Sequence, residues 1–324
     1  MSIPGSESSA NAQFLAMDDK HEIRHLRVRT TRRKFLRAGA MIGMAGALGL
    51  AVDSTIIEPD DPKLVQIEIS LSRLPEAWDG IRIVQVSDFH YDEHFSVVPI
   101  RKAIDIVNGL KADFVALTGD FVTLPLFKNY FGGRKKAARF IEPCAALLAQ
   151  VRARRAVLAI LGNHDSASDP QRITEALRAK GIPVLRNRSM AFEEGGQRLW
   201  FAGLDDVLDR RSDLNLTLKQ VPKNEPVILL AHEPDCADSV AHYPVDLQLS
   251  GHSHGGQVRF PLVGAPYLPP LGRKYPRGLR RIRGLTLYTN VGIGTIRLPV
   301  RFCCPPEVTL ITLRQMRQTS QVAC

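Results

Sequence analysis

The chain has 324 residues, of which 44% are hydrophobic and 23% are charged, so it can bury the core of one large domain or of two small ones. Lys and Arg outnumber Asp and Glu by 43 to 33, a balance that favours anionic partners. Aromatic residues make up only 6% and the five cysteines lack CxxC spacing, so neither a base-stacking surface nor a zinc ribbon is indicated, and no nucleic-acid partner is expected.

A paired-arginine pattern stands near the N-terminus. Arg32-Arg33 precede Phe35-Leu36 and an uncharged, mildly apolar run over residues 38–52. This layout is typical of a twin-arginine export signal, and the run is shorter than the roughly 20 residues that cross a bilayer comfortably. We expect a leader over residues 1–57 and export by the twin-arginine machinery to the periplasm or the outer face of the inner membrane. The alternatives are a leader retained as an anchor and a basic tail that rests on a membrane.

The remainder alternates short β-rich apolar runs with segments of helical periodicity. An acidic, proline-bearing linker is predicted over residues 58–64, one domain over 65–315 and a tail over 316–324. The predicted buried strands cover residues 81–86, 114–117, 156–161, 227–231 and 247–249. The predicted helices cover residues 99–110, 135–152 and 169–180, and a long ordered loop is predicted over 264–284. This alternation indicates an α/β domain with largely buried sheets.

Each of the five predicted strands ends in side chains that can bind metals. They are Asp88-Phe89-His90, Gly119-Asp120, Gly162-Asn163-His164-Asp165, His232 and Gly251-His252-Ser253-His254. The carboxyl ends of strands converge on one crevice in open α/β sheets, so these clusters can meet there. The glycines suit sharp strand-to-loop turns, and ligands two residues apart would face the same way in an extended chain. A single cluster would be read as a core histidine or a turn, but burying all of them unpaired would cost several kcal/mol.

In this order the clusters resemble the motifs of the calcineurin-like metallophosphoesterases: D-x-H, G-D, G-N-H-[DE], H and G-H-x-H. The resemblance implies a four-layer αββα sandwich of two mixed sheets, with two divalent ions, Mn, Fe or Zn, at one edge. It implies that Asp88, His90 and His254 bind the first ion and that Asn163, His232 and His252 bind the second, with Asp120 between them. His164 matches a histidine that assists catalysis without binding metal, and we expect Asp165 to orient it.

The resemblance also implies a reaction class. Two ions about 4 Å apart can hold a phosphoryl group and activate water to hydroxide, so no protein nucleophile is needed. The chain lacks the Asp-Arg-Gly that protein serine/threonine phosphatases carry after the second motif, and Thr123 stands where purple acid phosphatases place a tyrosine. Three segments are similar to a bacterial branch of exported or membrane-associated phosphoesterases: residues 251–257, residues 272–275 and the ending from Leu298-Pro299-Val300-Arg301 to Pro305-Pro306-Glu307. We therefore expect a phosphodiesterase or pyrophosphatase acting on an envelope or lipid-linked substrate. A phosphomonoesterase and a non-catalytic envelope-binding protein are the alternatives.

A basic segment follows the last motif by about twenty residues and could return over the site. It contains Arg273, Lys274, Arg277, Arg280, Arg281 and Arg283, with no acid among them. Four of these are the candidates for binding an anionic substrate or membrane headgroups: Arg273, Lys274, Arg280 and Arg281. A solvated surface loop is the alternative interpretation.

Overall fold

The computed structural model describes residues 31–124 and 137–316. The α-helices of these residues are α1 (Arg32–Val52), α2 (Val97–Leu110), α3 (Ile141–Leu148), α4 (Asn163–Ser168), α5 (Pro170–Ala179), α6 (Leu214–Leu218) and α7 (Ala237–Val240). The strands are β1 (Lys63–Leu71), β2 (Arg82–Val86), β3 (Phe114–Leu117), β4 (Ala156–Ala159), β5 (Arg188–Glu194), β6 (Gln197–Gly203), β7 (Val227–Leu230), β8 (Leu247–Ser250), β9 (Gly278–Ile282), β10 (Leu285–Thr289) and β11 (Glu307–Gln315).

The strands form two mixed sheets. The first has the order β1-β11-β2-β3-β4, in which β2, β3 and β4 are parallel and β11 is antiparallel to β2. The second has the order β5-β6-β7-β8-β10-β9, in which the four central strands are parallel and the two edge strands are antiparallel to their neighbours. Parallel central strands place their carboxyl ends at one edge of each sheet.

Three apolar clusters fill the spaces between the layers. One lies between the two sheets and contains Phe114 of the first sheet together with Phe201 and Leu249 of the second. Another joins the first sheet to α2, α3 and α5, and the third joins the second sheet to α6 and α7. The predicted four-layer αββα sandwich is therefore confirmed.

Most predicted elements form, with two differences. The five predicted strands lie within two residues of the observed ones, and the third predicted helix forms as α5, capped by the Asp169 carboxylate, which accepts a hydrogen bond from the Arg172 N–H at 3.1 Å. The helix predicted over residues 135–152 is shorter, since α3 covers Ile141–Leu148, and residues 135 and 136 lie outside the described residues. The predicted loop 264–284 contains β9, an exposed edge strand that tolerates arginines where a buried strand would not.

The apolar N-terminal segment is helical. After α1 the chain continues through a π-helical turn, Asp53–Ile57, and a 3-10 turn, Glu58–Asp60. Residues 32–60 are together long and apolar enough to cross a membrane, a test that a signal sequence near an N-terminus also passes. The chain divides into two compact units after Ala47.

The predicted linker is attached to the domain by hydrogen bonds within the second unit. The Ser54 carbonyl accepts from the Arg301 N–H at 2.8 Å, and the Glu58 carboxylate accepts from the N–H groups of Cys303 and Cys304. Pro59 is buried and β1 begins at Lys63. Residues that the sequence pattern assigns to the leader and the linker therefore contact the domain. The pattern does not predict these contacts, because a proline-bearing acidic segment does not reveal that its carboxylate binds a distant loop.

Candidate metal centre

The candidate ligands follow the ends of β2, β3, β4, β7 and β8, most of them in loops, and Asn163 begins α4. Five of them have left-handed backbone, with φ of 52° at Asp88, 43° at His90, 56° at Asp120, 68° at His252 and 51° at His254. Such a conformation is uncommon for residues other than glycine and costs on the order of 1–3 kcal/mol each. The expectation that ligands two residues apart share a direction because the chain is extended was wrong, since left-handed turns place them instead.

The glycines of the motifs allow these loops to approach one another closely. A Cβ atom at Gly162 would lie 2.2 Å from Asp120 Oδ1, and one at Gly251 would lie 1.9 Å from Ser87 Oγ. Gly119 has a φ of 95°, and a Cβ atom there would lie 2.6 Å from the Gly162 nitrogen. Close approach thus requires glycine at all three positions, and only Gly119 also requires it for a left-handed turn.

One group of donor atoms comes from Asp88, His90 and His254, all buried. Nε2 of His90 lies 3.0 Å from Nε2 of His254, which in turn lies 3.3 Å from Asp88 Oδ1. Nδ1 of His90 is 3.1 Å from the Thr123 hydroxyl, so its Nε2 faces the group. Two imidazole nitrogens and a carboxylate oxygen therefore face a common point.

A second group comes from Asp120, His232 and His252, with Asn163 beside them. His232 Nε2 lies 3.2 Å from Asp120 Oδ2, and His252 Nδ1 lies 2.9 Å from Asn163 Oδ1. The outer ring nitrogens donate to backbone carbonyls, His232 Nδ1 to Thr118 at 2.7 Å and His252 Nε2 to Pro270 at 2.8 Å. These donations select the tautomers whose inner nitrogens carry lone pairs, as metal-binding histidines require.

The charge states suit a cation. Burial lowers the pKa of His90 and of His254 well below 6.5, so both imidazoles are neutral at pH 7. Burial also opposes a charge on His232, but the carboxylates of Asp120 and Asp88 outweigh it and raise the pKa of His232 well above its usual value. Among the described residues, the buried His232 Nε2 has no hydrogen-bond partner of good geometry. A mixed nitrogen and oxygen set with an orphaned buried ring nitrogen fits a divalent metal ion, which would take the place of the proton that the raised pKa keeps on His232.

His164 lies at the margin of the site and is half-buried. Its ring stands edge-on to that of His90, with centroids 4.8 Å apart, and its Nδ1 accepts from the Leu124 N–H at 3.0 Å. The neutral ring therefore carries its proton on Nε2. His90, Asp120 and His164 also form a third group whose ligand atoms lie within 4.8 Å of one another, so proximity alone does not separate His164 from the metal ligands.

The Asp165 carboxylate forms hydrogen bonds to the backbone of two loops of the site. It is buried and accepts from the N–H groups of Phe121 at 2.9 Å, Val122 at 3.2 Å and Gly162 at 2.9 Å. Asp165 therefore holds the loop after β3, and that loop supplies the Leu124 N–H that binds His164. Burial, together with the neighbouring Asp120, raises the pKa of Asp165 to about 8.

The structure brings the predicted ligands and His164 together, whereas the side chains of the basic segment point to solvent. Its basic side chains are exposed, Lys274 Nζ is paired with Asp238 at 2.7 Å, and Arg280 and Arg281 lie on β9. The chain just before this segment does reach the site, through the Pro270 carbonyl that accepts from His252. The Asp235 carboxylate accepts from the N–H groups of residues 273–275 and holds this loop in place.

Several groups that contact the candidate ligands could not be identified from the sequence, because they are backbone atoms or the Thr123 hydroxyl. A further supporting side chain is that of Arg301, which is fully buried and donates to the carbonyls of Val291, Gly292, Gly294 and Cys304. The Gly294 N–H donates in turn to the Asp88 carbonyl at 2.8 Å. Arg301 thus shapes the loop that packs on Asp88, although a charged residue in a proline-containing segment suggests a surface position.

Comparison with known proteins agrees with this site. A model of the calcineurin-like phosphoesterase family matches residues 81–256, and the chain belongs to that family. The metallophosphoesterase YkuE of Bacillus subtilis is 33% identical over 294 residues, 88% of this chain and 98% of that protein. Phosphodiesterase YaeI of Escherichia coli is 29% identical over 290 residues, 87% of this chain and 99% of that protein. A 5′-nucleotidase precursor of Thermus thermophilus has a TM-score of 0.43 and 15% identity, over 72% of this chain and 54% of that one.

Proposed function

We propose that this protein is a dinuclear metal-dependent phosphoesterase that hydrolyses phosphodiester or pyrophosphate bonds. The observation that carries the proposal is the position of one carboxylate oxygen. Asp120 Oδ2 lies 3.5 Å from His90 Nε2 in the first donor group and 3.2 Å from His232 Nε2 in the second. A carboxylate that faces both groups can bridge two cations and lessen their repulsion.

The chain's own residues suit phosphoryl transfer to water. Two bound divalent ions would polarise the phosphoryl oxygens and lower the pKa of a water molecule between them. His164, whose Nδ1 accepts from the Leu124 N–H, would donate its proton to a phosphoryl oxygen or to the departing oxygen. The nearby hydroxyls of Ser87 and Ser253 donate to backbone carbonyls, so neither is placed as a nucleophile.

The substrate class is supported by a relative and by the N-terminal segment. The similar Escherichia coli protein carries the name phosphodiesterase, which favours a diester over a monoester. Arg32-Arg33 ahead of an apolar helix favour export and an envelope or lipid-linked substrate. Exposed basic side chains near the site edge, Arg273 among them, favour an anionic substrate.

A chelation experiment with two chromogenic substrates tests the reaction. Protein purified with manganese should hydrolyse bis(p-nitrophenyl) phosphate faster than p-nitrophenyl phosphate. EDTA should abolish both activities, and manganese, iron or zinc should restore them. Activity that survives complete metal removal would overturn the proposal, and a preference for the monoester would overturn its phosphodiesterase part.

A further inference from the structure

A short hairpin presents apolar side chains to solvent close to the candidate metal centre. The N–H groups of Phe260 and Gly264 each donate to the other's carbonyl, at 2.9 and 2.8 Å, and close a turn with Leu262 and Val263 at its tip. Leu262 is fully exposed, with a left-handed φ of 67°, and Val263 is 81% exposed. Single exposed apolar residues are common on protein surfaces. The tip indicates an interaction site only if further apolar residues surround it.

Further exposed apolar residues surround the hairpin. Gln257 Nε2 donates to the carbonyl of Leu298, which is 67% exposed, and the Gln257 carbonyl accepts from the Phe302 N–H. The Phe302 ring lies 5.8 Å from that of Phe260. Leu298 and the hairpin therefore flank the same short stretch of chain.

The end of the N-terminal helical segment contacts the chain beside the hairpin. Cys303 lines a 360 Å³ cavity together with Leu262 and Val263, and its N–H donates to the Glu58 carboxylate. Ile57, next to Glu58, is 54% exposed. We call this surface the apolar rim and define it by Ile57, Phe260, Leu262, Val263 and Leu298.

Arginines surround the apolar rim. Arg259 and Arg277 line the cavity beneath the hairpin, and the Arg297 guanidinium lies 4.5 Å from the centre of the Tyr267 ring. Within residues 31–124 and 137–316, none of these three arginines forms an ion pair. Apolar side chains at a tip, an aromatic ring and unpaired arginines around them are the composition that binds the headgroup region of an anionic bilayer.

We propose that the apolar rim docks on the surface of an anionic bilayer. Charge complementarity and continuity of the chain support this occupant, because the rim includes Ile57, which lies within the helical segment 32–60 that is long enough to cross a membrane. Arg259 Nη1 donates to the Gly255 carbonyl at 2.6 Å, one residue after His254. Docking would therefore hold the candidate metal centre beside the headgroups, whatever reaction it performs.

Lipid-dependent quenching of a probe on the hairpin tests the docking directly. The full-length chain would carry Ser in place of Cys303 and Cys324, and a nitrobenzoxadiazole dye on Val263→Cys, because Cys144, Cys236 and Cys304 are buried. The matched control carries the dye on Leu216→Cys, which is 53% exposed on α6, a helix that packs near β5 and β6 at the opposite edge of the second sheet from β9. Both variants are reconstituted into vesicles with nitroxide-labelled lipids.

We expect the dye at residue 263 to shift to the blue and to be quenched at least about threefold more than the dye at 216 in phosphatidylglycerol-containing vesicles. Arg297→Glu should reduce that quenching, since it reverses one charge of the rim. Equal quenching at both positions would overturn the proposal. Equal quenching of residue 263 in pure phosphatidylcholine would overturn the role of the arginines, and a blue shift without lipid quenching would show a protein partner instead of a bilayer.

Discussion

At the level of single residues, the outer contacts of the imidazoles decide what the candidate metal centre can bind. His232 and His252 each donate one ring N–H to a backbone carbonyl, and His90 Nδ1 contacts the Thr123 hydroxyl. The remaining nitrogens of His90 and His232 face the carboxylates of Asp88 and Asp120, and that of His252 faces the Asn163 amide oxygen. The residue types could be predicted from the motifs, but the tautomers could not, because they depend on carbonyl groups of distant loops.

His164 is expected to act in catalysis without holding metal, in contrast to His252. His164→Ala should keep its metal content and lose about 10²–10⁴-fold in kcat, the usual contribution of a positioned acid or base. His252→Ala should lose both metal and activity, because its Nδ1 faces Asn163 inside the second donor group. Metal analysis by mass spectrometry and kinetics on a diester measure both properties.

The leaving group provides a second readout for His164. A p-nitrophenolate departs without a proton, whereas an alkoxide needs one, so the loss in His164→Ala should be larger for an alkyl diester than for a nitrophenyl diester. A metal-free His164→Ala protein would instead make His164 a ligand, which its group with His90 and Asp120 would also permit. A fully loaded and active His252→Ala protein would contradict the ligand assignment.

At the level of elements, the loops after the strands contain the ligands with left-handed backbone and the glycines that allow neighbouring loops to approach closely. Gly162→Ala places a Cβ atom 2.2 Å from Asp120 Oδ1 and 2.6 Å from the Asp120 nitrogen, and that backbone atom cannot move without moving β3. We expect a stability loss of about 1–3 kcal/mol and at least about tenfold weaker metal binding. Thermal unfolding and metal titration measure the two effects.

Gly109→Ala provides the matched control for this substitution. Gly109 is exposed on α2, and a Cβ atom there would have no neighbour within 4 Å. Alanine should stabilise the helix by about 0.5–1 kcal/mol and leave metal binding unchanged. Equal metal affinity in the Gly162→Ala and Gly109→Ala proteins would show that the close approach at residue 162 is not needed for the site.

The elements also show where sequence patterns stop being informative. The buried strands β2, β3, β4, β7 and β8 were predictable because a run of apolar residues between polar loops has few other solutions. The edge strand β9 was not, because its arginines face solvent and only its pairing with β10 makes it a strand. Arg301 belongs to the C-terminal motif of the resemblance, but its burial could not be predicted, since it depends on four carbonyl groups that the fold brings around it.

At the level of the whole molecule, the N-terminal helix bears on the location of the protein and the domain bears on its chemistry. The sequence pattern predicts export, and the helical segment 32–60 is compatible with either a signal or an anchor. Changing Arg32-Arg33 to Lys-Lys should retain a tagged protein inside the cell, because the twin-arginine machinery reads the pair itself and not its charge. Cell fractionation measures the outcome, and a double variant that reaches the envelope at the wild-type level would contradict this route.

The sandwich as a whole could be predicted because the order of motifs resembles one family along most of the chain. The contacts of the linker could not, since the Glu58 carboxylate binds the N–H groups of Cys303 and Cys304, which lie 245 and 246 positions away in sequence. The basic segment was only partly predictable, because Asp238 pairs with Lys274 and the backbone at Pro270 reaches the site in place of a charged side chain.

The number of metal ions in the active protein tests the central claim most directly. The account predicts that metal-free protein titrated with manganese reaches full activity only when two ions are bound per chain, and that the two ions show magnetic coupling by electron paramagnetic resonance, because Asp120 faces both donor groups. Asp120→Asn should weaken the binding of both ions. Full activity at one ion per chain, or two bound ions without magnetic coupling, would contradict a dinuclear centre bridged by Asp120.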